Sequence, residues 1–125
     1  MTKRAAIYAR YSSDLQSDAS IEDQVRLAER LIADRGWELT QTYTDHGMSG
    51  ASLIRPSYQK LLEDARSGAF EAVVAESIDR LSRDQEHIAA FHKAMLFADI
   101  TICTSSEGDI NELHIGLKGT MSALY

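Results

Sequence analysis

Short apolar segments alternate with longer amphipathic segments along the chain. Residues 4–10 are mostly apolar, include a tyrosine, and are few enough to form a strand buried on both faces. Segments 37–44, 72–75 and 100–104 also have strand character, and a helical pattern separates each strand from the next. Strands that alternate with helices predict an α/β fold, a three-layer sandwich in which helices cover both faces of a central, largely parallel sheet.

Three segments show the apolar periodicity of helices. The first extends from an N-cap at Ser20 to a stop at Gly36, the second begins at Pro56 and ends before Gly68, and Asp84 caps the third. We treat 76–83 as a loop. The positions expected to face the core are Ile21, Val25, Ala28 and Ile32 in the first helix, Tyr58, Leu61, Leu62 and Ala65 in the second, and Ile88, Phe91, His92, Met95 and Leu96 in the third.

The last ten residues, 116–125, have helical spacing but no stop signal, since they contain neither a proline nor a basic last turn. This pattern predicts a helix that continues beyond the chain, and we interpret the chain as the amino-terminal part of a longer protein.

Composition limits the classes of protein that fit. With 125 residues the chain has enough material for one core, and it has neither a long apolar run nor an apolar amino-terminal signal, so we expect a cytoplasmic protein without a membrane partner. The net charge of −6 argues against holding DNA by bulk electrostatics, and any role on DNA must rest on a few placed arginines or on another domain. The four histidines and Cys103 lack metal-ligand spacing, so we expect no metal site.

Polar residues follow three of the predicted strands, at 10–16, 45–55 and 79–83. Because the carboxyl ends of parallel strands meet at one edge of a sheet, we expect these segments to line a common crevice. Arg10 stands two residues before Ser12, so that a guanidinium and a nucleophilic hydroxyl could meet one anion, although a polar turn is the simpler interpretation.

Two interpretations of the remaining arginines stay open from spacing alone. Arg80 and Arg83 could share a helix face and bind an anion, or the segment could pair internally, Asp79 with Arg83 and Arg80 with Asp84. Arg55 is a poor electrostatic neighbour for the start of a helix unless an anion lies nearby. Gathered together, Arg10, Arg55, Arg80 and Arg83 would form a pocket suited to a phosphodiester and to its more negative transition state.

Five segments in this order resemble the catalytic domain of the serine recombinases, the resolvase and invertase family, and most closely its large serine recombinase (serine integrase) branch. They are YARYSSDLQ at 8–16, SIEDQ at 20–24, DHGMSG at 45–50, RP at 55–56 and DRLSRD at 79–84. The resemblance covers nearly the whole chain and implies the resolvase-like version of the α/β sandwich. Each segment is short, and it is their number and order that make the match specific.

The resemblance implies site-specific recombination of double-stranded DNA through a covalent protein–DNA intermediate. By position, Ser12 rather than Ser13 is the nucleophile that becomes joined to a 5′ phosphate. In this resemblance Arg10, Arg80 and Arg83 hold the scissile phosphate, and Asp79 is their acidic partner, which we expect to orient them. Arg55 is a further active-site arginine. Gln16 and Gln24 support the site.

The resemblance also has implications for assembly and cofactors. It implies no ATP, metal or other cofactor, a homodimer on each DNA site and a homotetramer during strand exchange. Residues 1–113 would be the catalytic domain and 114–125 the start of the long dimerisation and DNA-binding helix, with the DNA-binding domain beyond the chain, so the 125 residues alone would be inactive. Two rival hypotheses are a catalytically silent regulatory relative and a phosphate-binding α/β domain unrelated to DNA.

Overall fold

Strands and helices alternate as the apolar pattern predicts. The computed structural model describes residues 3–10, 18–45, 56–81, 85–106 and 108–110, without the side chains of 18–20, 78–79 and 85–87. In chain order the elements are β1 (Arg4–Arg10), α1 (Asp18–Asp34), β2 (Glu38–Asp45), α2 (Pro56–Arg66), β3 (Ala72–Ala75), α3 (Ile78–Leu81), α4 (Gln85–Phe97), β4 (Thr101–Thr104) and β5 (Gly108–Asp109).

The strands form one sheet in the order β2-β1-β3-β4-β5. The first three pairs are parallel and only β4 and β5 are antiparallel, which confirms the predicted largely parallel sheet. The chain moves from β1 outward to β2 and then crosses back over β1 to β3. The carboxyl ends of β1 and β3 therefore flank the point where the winding reverses, which is where open α/β sheets form their ligand crevice.

Separate apolar clusters cover the two faces of the sheet. On one face, Ala28 and Ile32 of α1 pack against Ile7 and Val74. On the other, α2 and α4 cover a larger cluster that includes Tyr8, Val73, Leu61, Phe91 and Met95. Because both faces are covered, residues 5–10 of β1 and all of β3 are buried, as their apolar composition predicts.

The structure corrects several predicted boundaries. Helix α1 begins at Asp18, so Ser20 lies inside its first turn and is not the N-cap. The predicted loop 76–83 contains one helical turn, α3, in which the backbone N–H of Arg80 donates to the carbonyl of Ser77 at 3.1 Å. Strand β5 is too short to show alternation and was not predicted. The stop at Gly36 is confirmed, since this glycine has a φ of 71°, which side-chain-bearing residues rarely adopt.

The inward position predicted for Leu96 is wrong. Ile88, Phe91 and Met95 are buried at helical spacing along α4, whereas Leu96 is 55% exposed. It lies one position beyond the stripe that meets the sheet, so its side chain points past the margin of the interface.

Strand β2 carries one extra residue relative to β1. Ala5 is opposite Leu39, but Ala6 is opposite Gln41, so Thr40 is bulged out of the pairing. The Thr40 hydroxyl donates to the Ala5 carbonyl at 3.2 Å, which fixes the bulge. After it the register is regular and ends with Asp45 directly beside Arg10.

A tyrosine and an aspartate join β2 to the carboxyl-terminal half of α2. The Tyr43 hydroxyl donates to Oδ2 of Asp64 at 2.5 Å. Burial, then this hydrogen bond, raises the pKa of the Tyr43 phenol above its ordinary 10.0. The same hydrogen bond, with help from Lys60, lowers the pKa of the Asp64 carboxyl below 3.8. Asp64 is therefore ionised at neutral pH.

Candidate active site

Arg10 ends β1 at the crevice, and its backbone is held by a side chain of α1. The Arg10 N–H donates to Oε1 of Gln24 at 3.2 Å, and Nε2 of Gln24 donates to the Arg10 carbonyl at 2.9 Å. Both residues are 1% exposed. The side-chain amide of Gln24 thus supplies the hydrogen bonds that a neighbouring strand would otherwise give to the backbone of Arg10. This explains why a polar residue occupies the buried stripe of α1.

Arg10 and Arg80 each bind the main chain of the other. Nε of Arg10 donates to the carbonyl of Arg80 at 3.2 Å, and Nη1 of Arg80 donates to the carbonyl of Arg10 at 3.4 Å. These bonds tie the end of β1 to α3 across the crevice. The prediction that the segments after β1 and β3 meet at one edge of the sheet is confirmed for these two arginines.

Glu76, four residues before Arg80, contributes a negative charge to the same place. Its Oε1 lies 3.7 Å from Nη2 of Arg80, with side chains 31% and 15% exposed respectively. Pairing of Arg80 with Asp84 inside this segment was one of the two interpretations left open. The structure shows an ion pair of Arg80 with Glu76, and it does not test the pairing with Asp84, because the side chain of Asp84 lies outside the described residues.

Asp45 organises the neighbouring helix start. Its carboxylate, 2% exposed, accepts hydrogen bonds from the Tyr8 hydroxyl at 2.7 Å and from the N–H groups of Ser57 and Tyr58, each at 3.1 Å. These N–H groups belong to the first turn of α2, which has no intrahelical acceptors for them. Asp45 thus caps α2 from another element and places a carboxylate at the helix end that favours negative charge.

The arrangement favours the binding of an anion. Arg10 is buried, whereas part of the Arg80 side chain reaches solvent at the same edge of the sheet, so an anion from solvent can approach its positive charge. Within the described ranges, no three His, Cys, Asp or Glu side chains are close enough to hold a metal ion, and no helix is long and apolar enough to cross a membrane.

The remaining predicted site residues cannot be placed. Ser12, Gln16, Arg55 and Arg83 lie outside the described residues, as do the side chain of Asp79 and the segment 114–125. Their roles stay predictions. Of the eight predicted site residues, the structure places the side chains of Arg10, Gln24 and Arg80, and it brings all three together.

Fold and site together define an α/β domain with an arginine-bearing anion site at the reversal point of a largely parallel sheet. Comparison with known proteins identifies the family to which this domain belongs. Residues 5–124 match the family model described as "Resolvase, N terminal domain". The chain belongs to this family, the catalytic domains of the serine recombinases.

Individual relatives agree with this assignment. A protein of Bacillus subtilis (strain 168) named "Putative DNA recombinase" is 30% identical in an alignment of 126 positions that covers 94% of this chain but only 24% of that protein's length. The crystal structure of the N-terminal catalytic domain of TP901-1 integrase superposes with a TM-score of 0.81 and 29% identity over 98% of this chain and 93% of that one. A serine recombinase from Sulfolobus solfataricus matches with a TM-score of 0.70 and 25% identity over 99% and 81% of the two chains.

Sequence reasoning missed three residues of the site. Tyr8, Asp45 and Glu76 received no role, although two of them left a signal. A tyrosine inside an otherwise apolar strand needs a partner for its hydroxyl, and an aspartate at the end of the adjacent strand is a natural acceptor. Glu76 left none, because an acidic residue before a helical turn is common at the surface.

Proposed function

We propose that this chain is the catalytic domain of a site-specific DNA recombinase in which Ser12 cleaves the DNA strand. The observation that carries the proposal is the paired arrangement of Arg10 and Arg80 at the carboxyl ends of β1 and α3. Ser12 follows Arg10 by two residues in the sequence, and the backbone of Arg10 is held by Gln24. Membership of the family supports the same assignment.

The proposed step is a phosphoryl transfer that conserves the number of phosphoester bonds. Oγ of Ser12 attacks the scissile phosphorus and loses its proton, a Ser12–phosphate bond forms at the 5′ end, and the bond to the 3′ oxygen breaks and leaves a 3′ hydroxyl. Reversal of the step by a 3′ hydroxyl from another strand completes the exchange. The energy of the phosphodiester is kept in the phosphoserine, so the reaction consumes no ATP.

The arginines stabilise the charge that develops in this reaction. The transition state carries more negative charge than the phosphodiester, and guanidinium groups held in advance stabilise it with little reorganisation. Gln24 contributes by holding the backbone of Arg10 in place. We assign the same stabilising work to Arg55 and Arg83, and to Asp79 the orientation of its arginine neighbours. A homodimer on each site and a homotetramer during exchange complete the proposal.

The test is to detect the covalent intermediate with the complete reading frame that contains this chain. The protein is incubated with a supercoiled plasmid that carries the DNA flanking the gene, the reaction is stopped with detergent, and the nuclease-treated protein is digested and analysed by mass spectrometry. We expect a nucleotide on the peptide that contains Ser12, no adduct in Ser12→Ala, and an adduct in the matched control Ser13→Ala.

The other outcomes distinguish the rival functions. An adduct formed by Ser12→Ala contradicts the assignment of the nucleophile. DNA binding without any adduct from the unmodified protein favours a regulatory relative. Saturable binding of small phosphate esters without DNA binding favours an unrelated phosphate-binding domain.

A further inference from the structure

One acidic side chain lies against the arginine pair although the proposed reaction gives it no role. Glu76 occupies the connection between β3 and α3, and its Oε1 is 3.7 Å from Nη2 of Arg80. Its backbone is fixed, because the carbonyl of Glu76 accepts a hydrogen bond from the N–H of Ser106 at 3.0 Å. The carboxylate is therefore kept near Arg80 by the sheet and not by a mobile loop end.

The two partners differ in what holds them. Arg80 is 15% exposed and is anchored through Nη1 to the Arg10 carbonyl. The Glu76 side chain is 31% exposed, and its Oε1 lies 3.7 Å from Nη2, farther than the 3.4 Å between Nη1 and the Arg10 carbonyl. Arg80 thus stays in place when Glu76 leaves, whereas Glu76 can rotate into water and lose little, since partly exposed ion pairs are weak.

From these contacts we infer that Glu76 is an internal counterion of Arg80. It pairs with Arg80 when the site is empty, and an incoming phosphate group displaces it. A phosphate oxygen that approaches Arg80 meets the negative charge of Glu76, so the carboxylate lowers the affinity of the site for phosphate while it neutralises part of the arginine pair in the empty protein. The inference rests on the proposed function, because it takes a DNA phosphate as the natural ligand.

Glu71 provides a matched control at the other end of the same strand. It lies just before β3, at the opposite end of the sheet, and its Oε2 pairs with Nε of Arg4 at 2.7 Å. Glu71→Gln and Glu76→Gln change the net charge by the same amount and preserve side-chain shape. A difference between the two variants therefore measures the local effect of Glu76 and not the overall charge of the protein.

The experiment is a titration of the chain with inorganic phosphate at constant ionic strength, followed through the Nε–H resonances of its arginines by NMR. We expect phosphate to shift the Arg80 resonance, with an apparent Kd about two- to five-fold lower in Glu76→Gln than in the unmodified chain, the range that a weak ion pair allows. Glu71→Gln should bind as the unmodified chain does. In the unmodified chain the side-chain carboxyl carbon of Glu76 should shift with the same Kd.

Each other result overturns the inference. Equal affinities in all three proteins show that Glu76 does not compete, and an equal gain in both variants shows an effect of overall charge. Weaker binding by Glu76→Gln shows that Glu76 orients Arg80 for the ligand. In these three cases the phosphate site, and with it the proposed function, survives. If phosphate shifts no Arg80 resonance in any of the proteins, the anion site itself fails.

Discussion

The carboxylate of Asp45 joins β1, β2 and α2, and its removal should destabilise the protein more than its place at the end of an edge strand indicates. In Asp45→Ala two N–H groups of the first turn of α2 lose their cap, which costs about 0.5–2 kcal/mol. The buried hydroxyl of Tyr8 also loses this acceptor, which costs about 1–3 kcal/mol. We therefore expect a total loss of about 3 kcal/mol in the free energy of unfolding.

Urea denaturation followed by circular dichroism measures this loss. With a slope near 1.5 kcal/mol per molar, typical of a small domain, the midpoint should fall by about 2 M. Asp64→Ala is the matched control. Asp64 also accepts a hydrogen bond from a tyrosine, and this bond also joins β2 to α2, but Asp64 does not cap the helix. Its midpoint should fall less.

A double-mutant cycle separates the hydroxyl from the cap. Tyr8→Phe alone should cost about 1–2 kcal/mol, and in Tyr8→Phe/Asp45→Ala the loss should be smaller than the sum by about 1 kcal/mol or more, because the double variant has no Tyr8 hydroxyl that could lose the Asp45 acceptor. A midpoint for Asp45→Ala equal to that of Asp64→Ala, or strictly additive losses, would refute the reasoning.

Two further predictions concern Gln24 and Asp64. Gln24→Ala should lower the free energy of unfolding by about 2–3 kcal/mol in the same urea assay, since it leaves the buried N–H and carbonyl of Arg10 without their amide partner. Gln24→Glu should be no more stable than Gln24→Ala at pH 7, because a carboxylate cannot donate to that carbonyl. A variant at position 24 that is as stable as the unmodified chain would contradict this. The lowered pKa of Asp64 stabilises the fold above pH 3.8, and this stabilisation disappears as the pH falls through the still lower folded-state value. The stability difference between the unmodified chain and Asp64→Asn should therefore shrink below about pH 4, and it should depend less on pH in a Tyr43→Phe background.

Apolar periodicity was enough to predict, in order, the first four strands and the helices α1, α2 and α4, and the edge of the sheet at which Arg10 and Arg80 meet, but it did not predict α3 or β5. It places Arg10 and the segment around Arg80 at carboxyl ends of strands, and parallel pairing then brings them together. Periodicity cannot reveal a partner that is distant in sequence. The capping of α2 by Asp45 requires the register of β2, which the pattern of this mostly exposed strand does not determine.

Local rules failed where two choices had similar energies. Ser20 is a good N-cap, but the chain continues the helix back to Asp18, a residue type also favoured in the first turn. Leu96 is apolar at the margin of its stripe, and only the actual packing angle of α4 decides whether it is covered. A supporting role for Gln24 was predicted from the resemblance to a family, and the structure shows that its side chain binds the backbone of Arg10.

The bulge at Thr40 has a consequence for how the family can tolerate insertions and deletions. The first five residues of β2 are exposed, and their side chains look replaceable. The bulge is not replaceable in a strand of this length, because pairing Thr40 with Ala6 would place Thr44 beside Arg10 and move Asp45 one position too late, onto the opposite face of the sheet. Asp45 can therefore stay beside Arg10 only if the bulge and its extra residue are inherited together or lost together, whereas most of the exposed side chains around Thr40 are free to vary.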